Sequence, residues 1–242
     1  MFITDFNGLY KIMMNESGDS LGNGQMDQRD NGAGSTSSAP QIIDVEIYAD
    51  IICPWCYIGK KRLDAAFAAR PHITPRYIWR TFLLNPSMPP EGMSRSAYLN
   101  AKFGHSAASV YGRIAEAGLD SGIQFKFDAI EKTPDSRKAH RLMLGAGDHA
   151  ASLSERLYQA YFLNGQDIGD VRVLADIMAE EGIEPADDPE AIERQLESDL
   201  AMAGQLNLDG VPFFIFGGKY AVAGAHLPEH LVPAIDAAAA GN

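Results

Sequence analysis

The sequence predicts an α/β fold in which a block of helices interrupts the sheet-forming parts of the chain. Three observations lead to this prediction. Strand, helix and strand patterns follow one another over residues 41–82, patterns of helical period fill residues 94–182, and a hairpin pattern returns near the end. A strand, a helix and a strand in this order favour a right-handed parallel βαβ unit. We therefore expect the middle of the chain to form a helical subdomain.

The first 40 residues are predicted to be a disordered tail. From about residue 15 to residue 40 the chain is low in aromatic residues and rich in Gly, Ser, Asn and Asp. Only the start of this tail, up to Ile12, is apolar enough to dock on the body of the protein or on a partner.

The first predicted strand covers residues 41–49, where apolar and polar residues alternate and β-branched residues are frequent. The period then changes, and apolar residues recur at helical spacing over residues 58–69. Pro54 lies where the first helical residue would be, a position that proline favours because its missing amide hydrogen is not needed there. This places Cys53 at the N-terminus of the helix.

The two cysteines of the chain, Cys53 and Cys56, therefore share one strand-to-helix junction. A sulfur at a helix N-terminus faces unpaired backbone N–H groups and the positive end of the helix dipole, which favour its thiolate. Cys53 is the predicted nucleophile. Cys56 lies about one helical turn further along, where its sulfur can return to the first one and resolve a mixed disulfide.

Two other interpretations of the cysteine pair are weaker. A structural zinc site needs four ligands, but the chain has no second Cys-x-x-Cys, and only His226 and His230 are close together among its six histidines. We expect no metal. A purely structural disulfide is also disfavoured, because so short a loop restrains the unfolded chain very little.

Composition narrows the choice of partners. The net charge of −12 and the pI near 4.8 make nucleic acid and anionic membrane surfaces unsuitable partners. The one basic run, Lys60–Arg62, is interpreted as a solvated helix face at least as readily as a feature that steers an acidic substrate.

The lack of a recognisable secretory signal or membrane span and the low cysteine content favour a cytoplasmic protein. No segment has the length and apolar content of a membrane span, and the N-terminus lacks the basic start and apolar run of a secretory signal. Two cysteines are too few for a disulfide-stapled secreted scaffold. We therefore expect a cytoplasmic protein, in which a disulfide would be transient and catalytic.

The remaining elements follow from local patterns. Residues 74–82 form a second predicted strand, and a proline-rich turn over residues 84–92 follows it. A helix is expected to start at Asp187–Glu190, a hairpin is expected over residues 211–223, and a last helix is expected from Pro228. The middle of the chain carries four apolar stripes at helical spacing: Val110, Ile114 and Ala117; Leu142, Met143 and Ala146; Leu153, Leu157, Tyr161 and Phe162; and Val171, Leu174, Ile177 and Met178.

Pro212 stands at the head of a predicted buried strand, a place where a cis bond is usually a deliberate feature. Base rates alone favour the trans form, because only about one X–Pro bond in twenty is cis. The pattern around this residue therefore leaves the isomer undecided.

Several motifs together resemble one family, the DsbA-like oxidoreductases of the thioredoxin superfamily, and most closely its FrnE branch, which is related to 2-hydroxychromene-2-carboxylate isomerases. The resemblance runs from about residue 42 to residue 236. The motifs that carry it are Asp50–Lys60 with its Cys-Pro-Trp-Cys core, Phe82–Pro86, Ala139–Leu142, Gly210–Phe214 and Tyr220–Ala225.

The resemblance implies a thioredoxin fold, built from residues 41–92 and 183–242 and interrupted by a helical domain over residues 93–182. It also implies that Val211–Pro212 forms a cis-proline loop facing the cysteines, whose backbone pairs with an extended substrate.

The resemblance further implies roles for residues around the cysteines. It makes Pro54, Trp55, Val211 and Pro212 substrate-binding residues. Asp50 is either a proton-transfer group or a turn carboxylate, and His140 is either a supporting residue of the site or an ordinary structural histidine.

The main functional hypothesis is a thiol–disulfide oxidoreductase that acts on protein or small-molecule thiols and disulfides without a cofactor. One alternative is an isomerase or transferase that uses glutathione as co-substrate, although such relatives typically carry serine at the position of Cys53. Another is a chaperone whose cysteines only sense redox state. A homodimer is compatible with the sequence, and the direction of electron flow stays open.

Two departures from the family pattern limit what the resemblance implies. Asp135–Ser136 replaces an asparagine-containing pair, which weakens the inference of an amide that orients a small substrate. Between the cysteines, Pro54–Trp55 lacks the histidine of strongly oxidising relatives, so the oxidising extreme is not expected.

Overall fold

A computed structural model describes residues 41–241 and the backbone of residues 2–5 and 11–13. Its strands are β1 (Phe2–Asp5), β2 (Lys11–Met13), β3 (Gln41–Ala49), β4 (Ile73–Thr81), β5 (Met93–Ser94), β6 (Lys132–Thr133), β7 (Phe213–Phe216) and β8 (Tyr220–Ala223). Its α-helices are α1 (Pro54–Ala68), α2 (Arg95–Phe103), α3 (Ala107–Leu119), α4 (Arg137–Gly145), α5 (Ala150–Phe162), α6 (Val171–Glu181), α7 (Pro189–Gln205) and α8 (Pro228–Ala240). Short 3-10 turns precede α3 and α5, and another lies before β6.

The main sheet has the strand order β2-β1-β8-β7-β3-β4. Strand β3 pairs in parallel with β4 and antiparallel with β7, and β7 pairs antiparallel with β8. The predicted βαβ unit and the predicted hairpin are therefore confirmed. Because β3 lies between β4 and β7, the strand that leads to the cysteines is hydrogen-bonded on both sides.

Helices cover both faces of this sheet. Ile43, Val45 and Ile47 of β3 belong to the main core, together with apolar residues of α1 and α8. Tyr48 points the other way, because successive strand residues alternate between faces, and it packs with Ala203 of α7. The result is a three-layer arrangement of helices, sheet and helix, in which most residues of β3 and β7 are buried.

The middle of the chain is helical, as the four apolar stripes predict. Helices α3, α4, α5 and α6 carry those stripes, with Ala146 as the C-cap residue of α4, and β5 and β6 are the only strands there among the described residues. The inserted helices dock on α1, where the Tyr57 hydroxyl donates to Glu155 of α5 at 2.8 Å.

The docking of these helices corrects the interpretation of Lys60–Arg62 as a solvated helix face. Lys60 is buried, and Lys61 pairs with Glu155 at 2.7 Å. Arg62 donates to the Ala225 carbonyl at 2.7 Å. Lys60 pairs with Asp64 within α1 and lies over the Tyr77 ring of β4, whereas Lys61 and Arg62 join α1 to other segments. A role in steering substrate has no support from these contacts.

One prediction concerns the beginning of the chain. Strand β1 pairs with β8 and with β2, so the apolar beginning adds two strands to the sheet edge. The rest of the predicted disordered tail lies outside the described residues.

Within the described part of the chain, no helix combines the length and apolar character needed to cross a bilayer.

Candidate active site

Cys53 lies at the start of α1, as the change of period predicts. It is the N-cap residue, with extended backbone (φ −94°, ψ 113°), and Pro54 opens the helix. Its backbone N–H donates to the Asp50 carbonyl at 3.0 Å, and its carbonyl accepts from the N–H of Cys56 at 3.1 Å. Both cysteines are reduced and largely buried, with 4% and 2% of their surfaces exposed. Little of the surface of Cys53 is therefore open to a substrate.

The opposite wall is the loop before β7. The peptide bond between Val211 and Pro212 is cis, as the family resemblance implies, and the Cys53 thiol lies 3.8 Å from the Val211 carbonyl oxygen. Gly59 of α1 makes this approach possible, because a Cβ atom there would lie 2.6 Å from Pro212 Cγ. The structure thus brings together two segments that are 158 residues apart in sequence.

Cys56 is a buried thiol whose pKa is raised by its surroundings. Burial raises its pKa well above the ordinary range, and the hydrogen bond and charge of Cys53 and the charge of Asp50 raise it further. A backbone hydrogen bond at Asp50 opposes these effects without reversing them. Cys56 is therefore a protonated thiol in the reduced protein, so it must lose a proton before it can attack a disulfide.

Asp50 is a fully buried carboxylate beside the cysteines. Its Oδ1 accepts from the Ile52 N–H at 3.2 Å, and its Oδ2 accepts from the Leu84 N–H at 2.8 Å. His140 is also buried, and its Nε2 lies 3.3 Å from Asp50 Oδ1. These contacts with backbone N–H groups are those of a carboxylate that holds a turn, and the role of Asp50 in the chemistry stays a prediction. The charge of Asp50 also contributes to the raised pKa of Cys56, so the carboxylate acts on that thiol.

The two residues between the cysteines have different exposure. Pro54 is buried, whereas Trp55 is 37% exposed and is one of the few large apolar side chains on the surface of the described residues. An exposed indole beside a reactive thiol is suited to contact with a substrate. The substrate-binding role of both residues stays a prediction.

An aromatic stack behind the cysteines was not foreseen from the sequence. Tyr57 and Tyr158 stack with ring centroids 4.9 Å apart, and Phe162 continues the stack. The Tyr158 hydroxyl is buried without a hydrogen-bond partner among the described residues. Burial raises the pKa of Tyr158, and the charges of Cys56, Cys53 and Asp50 contribute to the same shift. The helical stripe on α5 indicated only a core position, since spacing does not show what a ring faces.

No metal cluster is found in this region or elsewhere in the described part of the chain, where no three His, Cys, Asp or Glu side chains converge suitably. The two sulfurs face Val211 and Asp50 instead of further ligands. The reactive side chains described here are two thiols, the buried Asp50 carboxylate and the buried His140 imidazole.

A family model, described as a DSBA-like thioredoxin domain, matches residues 44–236. The chain belongs to this family. The match covers both cysteines, the inserted helices and the cis-proline loop, so the DsbA-like thioredoxin fold with its helical insertion accounts for most of the chain. Membership supports disulfide oxidoreductase chemistry in general terms.

Relatives and solved structures agree with this assignment. A probable DsbA oxidoreductase from Streptomyces coelicolor is 26% identical and has a TM-score of 0.72, covering 83% of this chain and 91% of that one. A cytosolic disulfide reductase, DsbM from Pseudomonas aeruginosa, shares the fold at 17% identity and a TM-score of 0.51, covering 82% and 96%. YwbO, an uncharacterized protein of Bacillus subtilis, is 22% identical over 184 residues, which cover 72% of this chain and 87% of that protein.

Proposed function

We propose that this DsbA-like protein is a thiol–disulfide oxidoreductase that uses Cys53 as its nucleophile and Cys56 as its resolving thiol. The observation that carries the proposal is the position of the Cys53 sulfur, at the start of α1 and 3.8 Å from the Val211 carbonyl. Cys56 follows one helical turn later and is more deeply buried. We therefore expect an arriving disulfide to meet Cys53 first.

The exchange is written here in the reducing direction. The Cys53 thiolate attacks one sulfur of a substrate disulfide, a mixed disulfide forms, and the other substrate sulfur leaves as a thiolate. The Cys56 thiol then loses its proton and attacks Cys53 Sγ, which releases the second substrate thiolate. The substrate gains two electrons and the Cys53–Cys56 pair loses two. The oxidising direction is the reverse of these steps.

Asp50 is the proposed acceptor of the Cys56 proton. The pKa of Cys56 is raised by burial and by the neighbouring charges, so its attack requires a nearby base. Asp50 is fully buried, and His140 is hydrogen-bonded to the same carboxylate at 3.3 Å. In this role Asp50 receives the proton while Cys56 attacks, and His140 keeps the carboxylate oriented.

The cis-proline loop is the proposed binding surface for extended substrates. Val211 and Pro212 directly precede β7, so their backbone continues the sheet toward Cys53. A substrate strand laid along such a segment is bound through its main chain and can vary in sequence. Protein disulfides and small disulfides both fit this mode.

Glutathione is a candidate small thiol for returning the oxidised pair to its reduced state. DsbM of Pseudomonas aeruginosa has been solved with GSH, although its 16% identity to this chain supports only the shared fold. The choice of glutathione and a cytoplasmic setting, where thiols are kept reduced, are therefore parts of the proposal.

Insulin reduction by the purified protein tests the proposal. Cys53→Ser is expected to abolish activity, because the attacking sulfur is lost. Cys56→Ser is expected to accumulate mixed disulfide that is visible by mass spectrometry, because the first attack proceeds without resolution. Full activity in Cys53→Ser would refute the proposal. An isomerase that uses the thiol of glutathione as its nucleophile would keep its isomerase activity in that variant. The reduction potential of the pair then separates oxidant from reductant.

A further inference from the structure

A small buried cavity lies where α4 packs against the end of β4. We call it the Trp79–His140 cavity. The volume open to a water-sized sphere is about 10 Å³, which is close to the least that one water molecule needs and leaves no room for a larger ligand. The lining includes six buried residues: Ala49, Ile51, Trp79, Thr81, His140 and Met143.

The strand register explains why polar side chains meet at this cavity. Trp79 and Thr81 of β4 pair with Ile47 and Ala49 of β3. Because residues two apart on a strand point to the same face, both side chains lie on the face of the sheet that carries the main core. Helix α4 covers this end of β4 and adds His140 to the lining. Three polar side chains therefore converge in an otherwise apolar place.

Two polar atoms at the cavity are unpaired within the described part of the chain. Trp79 Nε1 and Thr81 Oγ1 are both buried, and neither has a hydrogen-bond partner there. Trp79 is 8% exposed and Thr81 is 1% exposed, so bulk solvent does not supply one. An indole N–H can only donate, whereas a hydroxyl both donates and accepts. Such orphaned groups are uncommon in folded proteins, because each one loses its interaction with water.

His140 supplies a third polar group. Its Nε2 lies 3.3 Å from Asp50 Oδ1, so a proton on Nε2 suits the neighbouring carboxylate. The other ring nitrogen, Nδ1, is then an acceptor. The lining residues thus offer one donor, one hydroxyl and one acceptor. Three partners of this kind are what a buried water molecule typically has.

Water fits this cavity better than an ion. Arg80 also lines it, but the Arg80 guanidinium donates to Glu46 at 2.8 Å and to Asp199 at 3.4 Å. Its charge is therefore compensated outside the cavity, and no anion is needed inside. Ordering one water molecule also costs less free energy than leaving two buried polar groups unpaired.

We propose that the Trp79–His140 cavity binds one water molecule, which accepts from Trp79 Nε1, is hydrogen-bonded to Thr81 Oγ1 and donates to His140 Nδ1. Through this water, Trp79 and Thr81 act as positioning residues that hold the His140 ring against Asp50. The water site stands on the cavity and its polar groups alone. Its effect on the reaction rests on the proposed function, in which Asp50 receives the proton of Cys56.

A crystal structure of the full chain tests the water site. One water is expected within about 2.7–3.2 Å of Trp79 Nε1, Thr81 Oγ1 and a ring nitrogen of His140. A cavity without water density, in a map that shows other buried waters, would overturn the inference. A water that does not contact His140 would do the same. This result is independent of whether the protein exchanges disulfides.

Reaction with one equivalent of dithiobis(nitrobenzoate) tests the positioning role. Attack by Cys53 releases the first coloured thiolate, and attack by Cys56 on the mixed disulfide releases the second. Thr81→Val nearly keeps the shape of the side chain but removes its hydroxyl. It is expected to slow the second release about fivefold, the effect of losing one hydrogen bond, and to leave the first release unchanged. Thr81→Ser keeps the hydroxyl and is the matched control, expected to match the wild type in both steps.

The two experiments fail separately. An unchanged second release in Thr81→Val would overturn the positioning role, and so would equal slowing in Thr81→Ser, which would point to packing instead of the hydroxyl. If the wild type releases neither thiolate, the proposed function and the positioning role both fall, and the crystal structure still decides the water site. Where circular dichroism shows that Thr81→Val is unfolded, Trp79→Phe replaces it and is expected to show the same selective slowing.

Discussion

Gly59 is the position where one added methyl group most directly tests the geometry of the active site. It lies in α1, six residues after Cys53, and the cis-proline loop packs against its backbone. A Cβ atom at this position would lie 2.6 Å from Pro212 Cγ and 3.3 Å from Phe214 Cζ. Gly59→Ala therefore pushes directly on the wall opposite Cys53.

The size of the effect follows from these distances. Carbon atoms in contact prefer a separation of about 3.5–4.0 Å, so Pro212 or α1 must shift by roughly 1 Å. Overpacking of this kind costs about 1–3 kcal/mol, against about 0.4–1 kcal/mol gained when glycine is replaced by alanine in a helix. A displacement of about 1 Å at a reacting centre can also lower a rate about 100-fold. We expect a small loss of stability and a larger loss of exchange rate.

The assay is insulin reduction together with urea denaturation, and Gly204→Ala is the matched control. Gly204 lies in α7, and apart from its own neighbouring helix backbone no atom comes within 4 Å of the position its Cβ would take. The control is expected to gain up to about 1 kcal/mol of stability and to keep its activity. Wild-type activity and stability in Gly59→Ala would show that the cis-proline loop does not pack against α1 in this way.

Two further predictions concern stability. The reduced protein is expected to lose stability between about pH 8.5 and pH 10, by up to about 1.4 kcal/mol per pH unit, because the pKa of Cys56 is raised by burial and the unfolded thiol ionises first. Urea titrations across this range check it, and an identical slope in Cys56→Ala would contradict it. Asp199→Ala is expected to cost about 1–3 kcal/mol, since the buried carboxylate accepts the Thr81 N–H at 2.8 Å and that donor would be left unpaired. Asp199→Asn, which keeps an acceptor oxygen, should lose less in the same measurement.

Local signals in the sequence were sufficient where local physics decides the structure. The change of period at Cys53 located the start of α1, with Pro54 in its first turn. The acidic residues before α7 predicted its start, and Asp188 accepts the Ala191 N–H at 2.8 Å there. Such caps depend on neighbours within four residues, so composition and spacing reveal them.

Contacts between segments that are distant in sequence were harder to predict. The pairing of Asp50 with His140 joins residues 90 positions apart, and nothing in either local pattern specifies it. A run of three basic residues favours a solvated helix face, whereas the structure buries Lys60 over the Tyr77 ring of β4. The cis bond before Pro212 depended on resemblance to a family, since propensity alone favours trans. The burial of Arg95 has no signal in the sequence, because an arginine at the start of a helix is usually exposed.

The distance of 158 residues between Cys53 and Val211 also has a consequence for synthesis on the ribosome. At about 5–20 residues per second, Cys53 emerges roughly 8–30 s before the loop that will cover it. During that interval β3 lacks its partner β7, and both thiols belong to an unfinished half-site. The nascent chain therefore carries a thiol pair that can react with other nascent cysteines before the mature substrate groove exists to select among them.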